Sequence, residues 1–221
     1  MKRKTGTICI LPGLLLIAAA LGLTGYNLWD NERAGRVSAD ITERLLEVMP
    51  ERAEYAPEDL FIEYAPEKEP LPEDTHIGTE QAETVVEAMA TVEVEEYRYI
   101  GILEIPKLKI TLPVMETWDY DRLQIAPCRY TGNIYSNDLV ICAHNFEKHF
   151  GTLFGAEPGM EVYFSTVDGQ VYKFVISNVE EVNPYAIDYM TRPEESGNWD
   201  LTLFTCFLGG RTRCTVRCLR V

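Results

Sequence analysis

Metal ligands, basic charge and internal repetition are all scarce in this 221-residue chain. Its three histidines and six cysteines include no Cys-x-x-Cys pair and no two histidines at ligand spacing. That pattern argues against a metal site and calls for no cofactor. Basic residues number 20 against 35 acidic ones, a net charge of −15, so the basic footprint of a nucleic-acid-binding protein is missing. No segment repeats at a fixed period. A long apolar run occurs once, at the N-terminus.

That run defines residues 1–29. Lys2, Arg3 and Lys4 precede an uncharged stretch from Thr5 to Trp29, almost wholly apolar between Ile8 and Leu23 and closed by Tyr26 and Trp29. Such a segment is long enough to cross a bilayer, with its basic flank on the cytoplasmic side and its aromatic residues at the far interface. Ala18-Ala19-Ala20 offers small residues of the kind found at signal-peptide cleavage sites, but the length and aromatic end favour an uncleaved signal anchor. The expected topology is single-pass, N-terminus cytoplasmic, working domain extracytoplasmic.

Residues 30–96 hold 20 acidic and 5 basic residues, a charge of −15 within this segment alone. Ser38–Met49 fits a short helix, with Ser38 as N-cap and Ile41, Leu45 and Val48 at helical spacing. Beyond it, Pro50, Pro57, Pro66, Pro70 and Pro72 stand among glutamates, too poor in apolar residues to offset the entropy of ordering. Gln81–Glu93 fits a further short helix. The segment reads as an acidic linker, a spacer or simply a solvated tether.

Residues 97–221 read as one compact mainly-β domain. Tyr99–Ile105 and Ile110–Val114 have strand character, and Trp118–Ile125 suits a short helix. Asp138–His144 is a buried strand, and Glu161–Thr166 with Gln170–Val182 forms a hairpin turned at Asp168-Gly169. Pro184–Asn198 is a long connection before two closing strands. Seven or eight strands with little helix predict a closed antiparallel β-barrel.

The closing strands carry the chemistry. Leu201–Thr205 delivers Cys206 to a strand end before the turn pair Gly209-Gly210. On the returning strand, Arg213, Thr215 and Arg217 share one face, and Cys214, Val216 and Cys218 the other. A hairpin then sets Arg213 beside Cys206: a thiol nucleophile with a guanidinium able to hold the oxyanion of an attacked carbonyl. Strand cysteines are ordinarily small buried hydrophobes, and strand-terminal histidines ordinarily bond a loop carbonyl. What distinguishes His144 is that it emerges, like Cys206, at the end of a rigid apolar strand. His149 follows Glu147-Lys148 in a loop, and His76 lies in the linker.

In the order I-G-I-L-E-I-P-K-L-K-I-T-L-P-V from Ile100, V-I-C-A-H ending at His144, T-L-F-T-C ending at Cys206, and R-C-T-V from Arg213, residues 99–221 resemble the sortases. These are the membrane-anchored cysteine transpeptidases of Gram-positive bacteria. The resemblance implies an eight-stranded sortase barrel with Cys206 as nucleophile, His144 as acid/base, Arg213 as oxyanion and substrate stabiliser, and Thr205 as a substrate contact. It further implies an LPXTG-like sorting signal on surface proteins or pilins, cleaved after its Thr. The amine acceptor would be a cell-wall (peptidoglycan) precursor or a pilin lysine. The chain departs from the family in having Cys142-Ala143-His144 where sortases often have Thr-Gly-His, and in carrying Arg211 as a second arginine near the turn.

Two further classes fit the residues. Another extracytoplasmic cysteine peptidase or an L,D-transpeptidase would also use Cys and His, although the latter's Ser-His-Gly-Cys block is absent; a non-catalytic adhesion or scaffold module would use neither. Outside the membrane segment, Cys128, Cys142, Cys206, Cys214 and Cys218 are odd in number. Cys214 and Cys218, four apart on one strand, stand about 13 Å apart, too far to bridge. Mostly buried free thiols are expected.

Overall fold

The computed structural model describes residues 4–50 and 88–221. Helix α1 spans Lys4–Val48 without interruption. Strand β1 (Val92–Val94) then leads into β2 (Tyr97–Ile105) and β3 (Ile110–Met115), joined by a 3-10 turn beginning at Pro106. Helix α2 (Tyr120–Leu123) precedes β4 (Cys128–Thr131) and β5 (Leu139–Ala143). The hairpin β6 (Glu161–Thr166) and β7 (Val171–Val182) is followed by the short helices α3 (Ile187–Thr191) and α4 (Pro193–Ser196). Strands β8 (Leu201–Phe207) and β9 (Thr212–Arg220) close the chain.

Eight strands form a closed barrel in the order β2-β3-β4-β5-β8-β9-β7-β6, sealed by pairing of β6 back onto β2, while β1 adds to the start of β2. The all-antiparallel expectation fails at two seams: β3 pairs β4, and β5 pairs β8, in parallel. The β5–β8 seam matters most, because parallel neighbours bring two strand ends out on the same side of the barrel. Leu139, Ile141 and Ala143 of β5 join Leu201, Leu203, Cys214, Val216 and Cys218 in the interior. The alternate residues Val140, Cys142 and Phe204 lie in a second apolar layer outside the sheet. Both faces of β5 are therefore buried, which is why its sequence runs apolar without alternation.

Part of that outer layer is supplied by α1. Ala34, Ser38, Ile41, Leu45 and Met49, at helical spacing, are all buried, and Ile41, Leu45 and Met49 pack with Val94, Tyr99, Ile102 and Met115. Burying each such side chain contributes about 1.5 to 3 kcal/mol. Two expectations change here. Ser38 is not an N-cap but lies within a long helix, and Val48 is exposed while Met49 takes the buried position. The chain from Asp30 to Met49 is consequently docked on the barrel, where the composition had suggested the start of a linker. The rest of that linker, from 51 to 87, lies outside the described residues, as do positions 81–87 of the helix expected over Gln81–Glu93, whose end is instead irregular and then strand β1.

Candidate active site

Antiparallel pairing of β8 and β9 places Cys206 directly opposite Arg213. The turn between them uses Gly209 and Gly210 at φ of 69° and 88°, a region where a side chain would be strained. Parallel pairing of β8 with β5 matches Thr205 to Ala143, so Cys206 and His144 leave adjacent strands at the same end. Both line one cleft of about 220 Å³, together with Arg213, Tyr130, Phe204 and Met190. A larger hollow of about 320 Å³ lies under α1 beside Leu108 and Thr111; it contains neither Cys206 nor His144, and we place the chemistry in the smaller cleft for that reason.

Exposure separates the thiols. Cys206 is half-buried, whereas Cys128, Cys142, Cys214 and Cys218 are buried; all five are free. Burial pushes the Cys142 thiol up to about 12, helped by the proximity of Cys206, and Cys214 up to about 11. Cys128 and Cys218 are raised further by the same cause. These groups stay protonated and unreactive.

His144 is partly buried, and desolvation lowers its pKa, an effect opposed by Asp30 on α1. Gln124 Nε2 stands 3.1 Å from His144 Nε2 and donates to it when the ring is neutral. Arg213 Nη1 donates to the carbonyls of Gly210 (3.2 Å) and Thr212 (3.3 Å). The guanidinium is thereby tied to the turn, while its planar fork has five N–H donors in all. Thr205 is placed differently from a substrate contact: it is buried, outside the cleft, and its Oγ1 donates to Ala143 O at 2.8 Å. It cross-ties the two strand ends that carry His144 and Cys206. His149 is fully buried and His76 lies outside the described residues. Arg211 is exposed beyond the hairpin register.

Three contributors escaped the sequence reading. Gln124 sits just past α2 and meets His144 across 20 residues, a contact no local pattern signals. Arg217 is buried on the outer face of β9. It donates through Nε to Glu180 Oε1 (3.0 Å), through Nη1 to Met190 O (3.0 Å) and Thr202 Oγ1 (2.9 Å), and through Nη2 to Tyr189 O (2.7 Å). It thus clasps α3, whose Ile187 and Met190 form one wall of the cleft. Tyr130 stacks between Trp118 (5.2 Å) and Phe204 (5.2 Å, edge-on) to form the opposite wall. Among the described residues, no group of three or more His, Cys, Asp or Glu side chains is arranged to hold a metal ion.

Solved structures show partial likeness to this chain. The chain superposes on sortase A from Corynebacterium diphtheriae with 23% identity and a TM-score of 0.48, over 57% of this chain and 62% of that one, so it spans less than two thirds of that sortase. A Clostridium perfringens sortase D5 transpeptidase aligns at 19% identity and TM-score 0.49, over 56% of this chain and 79% of that one. Streptococcus pneumoniae sortase C aligns at 25% and 0.48, over 58% and 70%. No curated protein sequence matches the chain. The sortase-domain family profile matches residues 103–221, more than half of the chain and nearly all of its barrel, and the chain belongs to the sortase family.

Proposed function

We propose that this protein is a membrane-anchored transpeptidase that cleaves an LPXTG-like sorting signal and transfers the acyl fragment to an amine. The observation that carries the reading is the convergence of the half-exposed Cys206 with His144 and Arg213 in one cleft, amid thiols that burial silences. His144 takes the proton of the Cys206 thiol, and the resulting thiolate attacks the carbonyl of the signal's Thr, forming an S–C bond and an oxyanion that the Arg213 guanidinium steadies. Collapse breaks the C–N bond as His144 protonates the departing amine, leaving a thioester. An incoming amine then attacks, gives its extra proton to His144 and releases the Cys206 thiol as the new amide forms.

The acyl donors are surface proteins or pilins with C-terminal sorting signals, and the acceptor amine comes from a peptidoglycan precursor or a pilin lysine. Helix α1 supplies the anchor: among the described residues it is the one helix long and apolar enough to cross a membrane. Its N-terminus lies in the cytoplasm and the barrel outside. Incubating the protein with an LPXTG-type peptide library and an amine tests the reading. A new amide product supports it; hydrolysis alone would indicate a peptidase, and no reaction a binding module.

A further inference from the structure

The imidazole of His144 is held from two directions. Gln124, just past α2, meets its Nε2 at 3.1 Å. On the other side, the loop 144–149 that carries the ring folds back on itself. Phe150 N–H donates to His144 O at 3.1 Å, and the N–H groups of His149 (2.9 Å) and Gly151 (2.8 Å) converge on Phe146 O. The Phe146 ring lies against both His144 and His149, with centroids 5.0 Å and 5.5 Å away. His149, fully buried, is the fixed end of the loop that His144 begins.

Both supports end on Ser38 of α1. Its Oγ donates to the carbonyl of Ile125, the neighbour of Gln124, at 2.7 Å, and accepts from His149 Nε2 at 3.0 Å. One hydroxyl has the proton for the first bond and lone pairs for the second. A serine inside a helix ordinarily turns its hydroxyl to solvent or back to the carbonyl of the preceding turn. Thr42, one turn on, does the latter, donating to Ser38 O at 2.7 Å. Ser38 instead reaches across to the barrel from a buried position, where removing its hydroxyl leaves two buried groups short of a partner. Asn31, about two turns earlier and so on the same face of the helix, accepts Glu147 N–H at 2.9 Å. Between them Gly35 lets α1 close on the loop: a Cβ there would stand 2.6 Å from Lys148 Cγ. Asp30 is near enough for its charge to oppose the burial that lowers the His144 pKa.

We propose that Ser38, with Asn31, is a positioning residue for His144: α1 fixes Gln124 and the loop 144–149, and so sets where the imidazole stands relative to Cys206. The proposal rests on the reading of His144 as acid/base given above. Ser38 and Asn31 act through Gln124 and the loop. A displacement of about 1 Å at a reacting group can cost about a hundredfold in rate, so the helix that anchors the chain also holds its chemistry in register.

The test measures acyl transfer by the full chain in detergent micelles, with the sorting-signal peptide that the library selects and glycinamide as the amine. Ser38→Ala should lower kcat about tenfold or more with KM nearly unchanged. Ser38→Thr, which restores the hydroxyl, should recover most of the rate. Thr42→Val removes a buried hydroxyl bonded within α1 and should leave kcat as it was. Gln124→Ala should lower kcat too, and combined with Ser38→Ala should cost less than the product of the two, as residues acting through one another do. Asn31→Ala removes a tie at a half-buried position and should lower kcat about threefold or more, which keeps the test decisive should Ser38→Ala not fold. Unchanged kcat in Ser38→Ala (or, where that variant does not fold, in Asn31→Ala), a loss expressed in KM alone, or Ser38 and Gln124 effects that simply multiply overturns the proposal while leaving His144 in its role. Full activity in His144→Ala, or no peptide turned over, overturns the site reading, and the proposal with it.

Discussion

Cys206 differs from the other described cysteines in exposure, and Arg213 differs from Arg211 in register. Arg213 lies opposite Cys206 on β9, and in the proposed mechanism it holds charge that appears only as the carbonyl is attacked. Arg213→Ala is therefore expected to lower kcat by about a hundredfold to a thousandfold, roughly 2.7 to 4 kcal/mol, with little change in peptide affinity. Arg211→Ala should change little. Steady-state kinetics of the two variants check this, and an exchange of their effects would mean a hairpin register shifted by two. His149 yields a stability prediction. Burial, then the neighbouring His144, lowers its pKa from 6.5 to about 4, against the opposing pull of the Ala34 backbone carbonyl, which accepts from the ring. Below pH 6.5 the unfolded chain binds a proton that the folded chain refuses, so stability falls as pH drops from 6.5 towards 4 and is level above that window. The full loss is about 3 kcal/mol. Ser38 donates its one proton to Ile125 O, so His149 Nε2–H donates to Ser38. His149→Gln keeps such a donor without the titration and should flatten the urea-midpoint profile; a slope that persists would assign the effect elsewhere. At this scale the sequence was informative where period-two alternation applied, as for Cys206 and Arg213. It was silent on Gln124 and on the Ser38–His149 contact, which join residues 20 and 111 positions apart.

Most strands were legible because their apolar residues either alternate or run unbroken between glycine and proline stops. β4 was not: Cys128–Thr131 is four residues long, half polar, and joined to β3 at a single register pair. Pairing direction was also hidden, since the apolar run of β5 marks burial on both faces but does not name its neighbours. The long connection after β7 was recognised as such, yet the arginine that bonds its Tyr189 and Met190 carbonyls stands on a different strand. Arg217→Met removes four hydrogen bonds and leaves Glu180 and two carbonyls without that donor, an expected stability cost on the order of 3 to 5 kcal/mol. Because α3 lines the cleft, the same variant should raise KM for the peptide more than it lowers kcat. Denaturation midpoints and peptide kinetics measure the two effects; an unchanged KM would show that α3 keeps its place without the clasp.

The whole molecule is less divided than its composition suggests. Charge and proline content marked residues 30–96 as a linker, and by that reading a chain beginning at residue 91 would be soluble, folded and active. The docked face of α1 and the buried Met89 alter the expectation. Removing them uncovers Val94, Tyr99, Ile102 and Met115 and should cost on the order of 5 kcal/mol relative to a chain retaining everything from Asp30 onward. Comparing the urea midpoints of the two truncated chains decides it, and equal midpoints would restore the tether. The helical period of residues 34–49 was visible in part, but only the fold supplies the surface that it covers. The central claim, that Cys206 carries the acyl group, is tested most directly by intact-mass spectrometry of the protein mixed with a sorting-signal peptide library before any amine is added. The account predicts a thioester adduct of the peptide fragment ending in Thr, mapped to Cys206, discharged by an added amine and missing from Cys206→Ala. An adduct on another cysteine, or acyl transfer that survives Cys206→Ala, would contradict it.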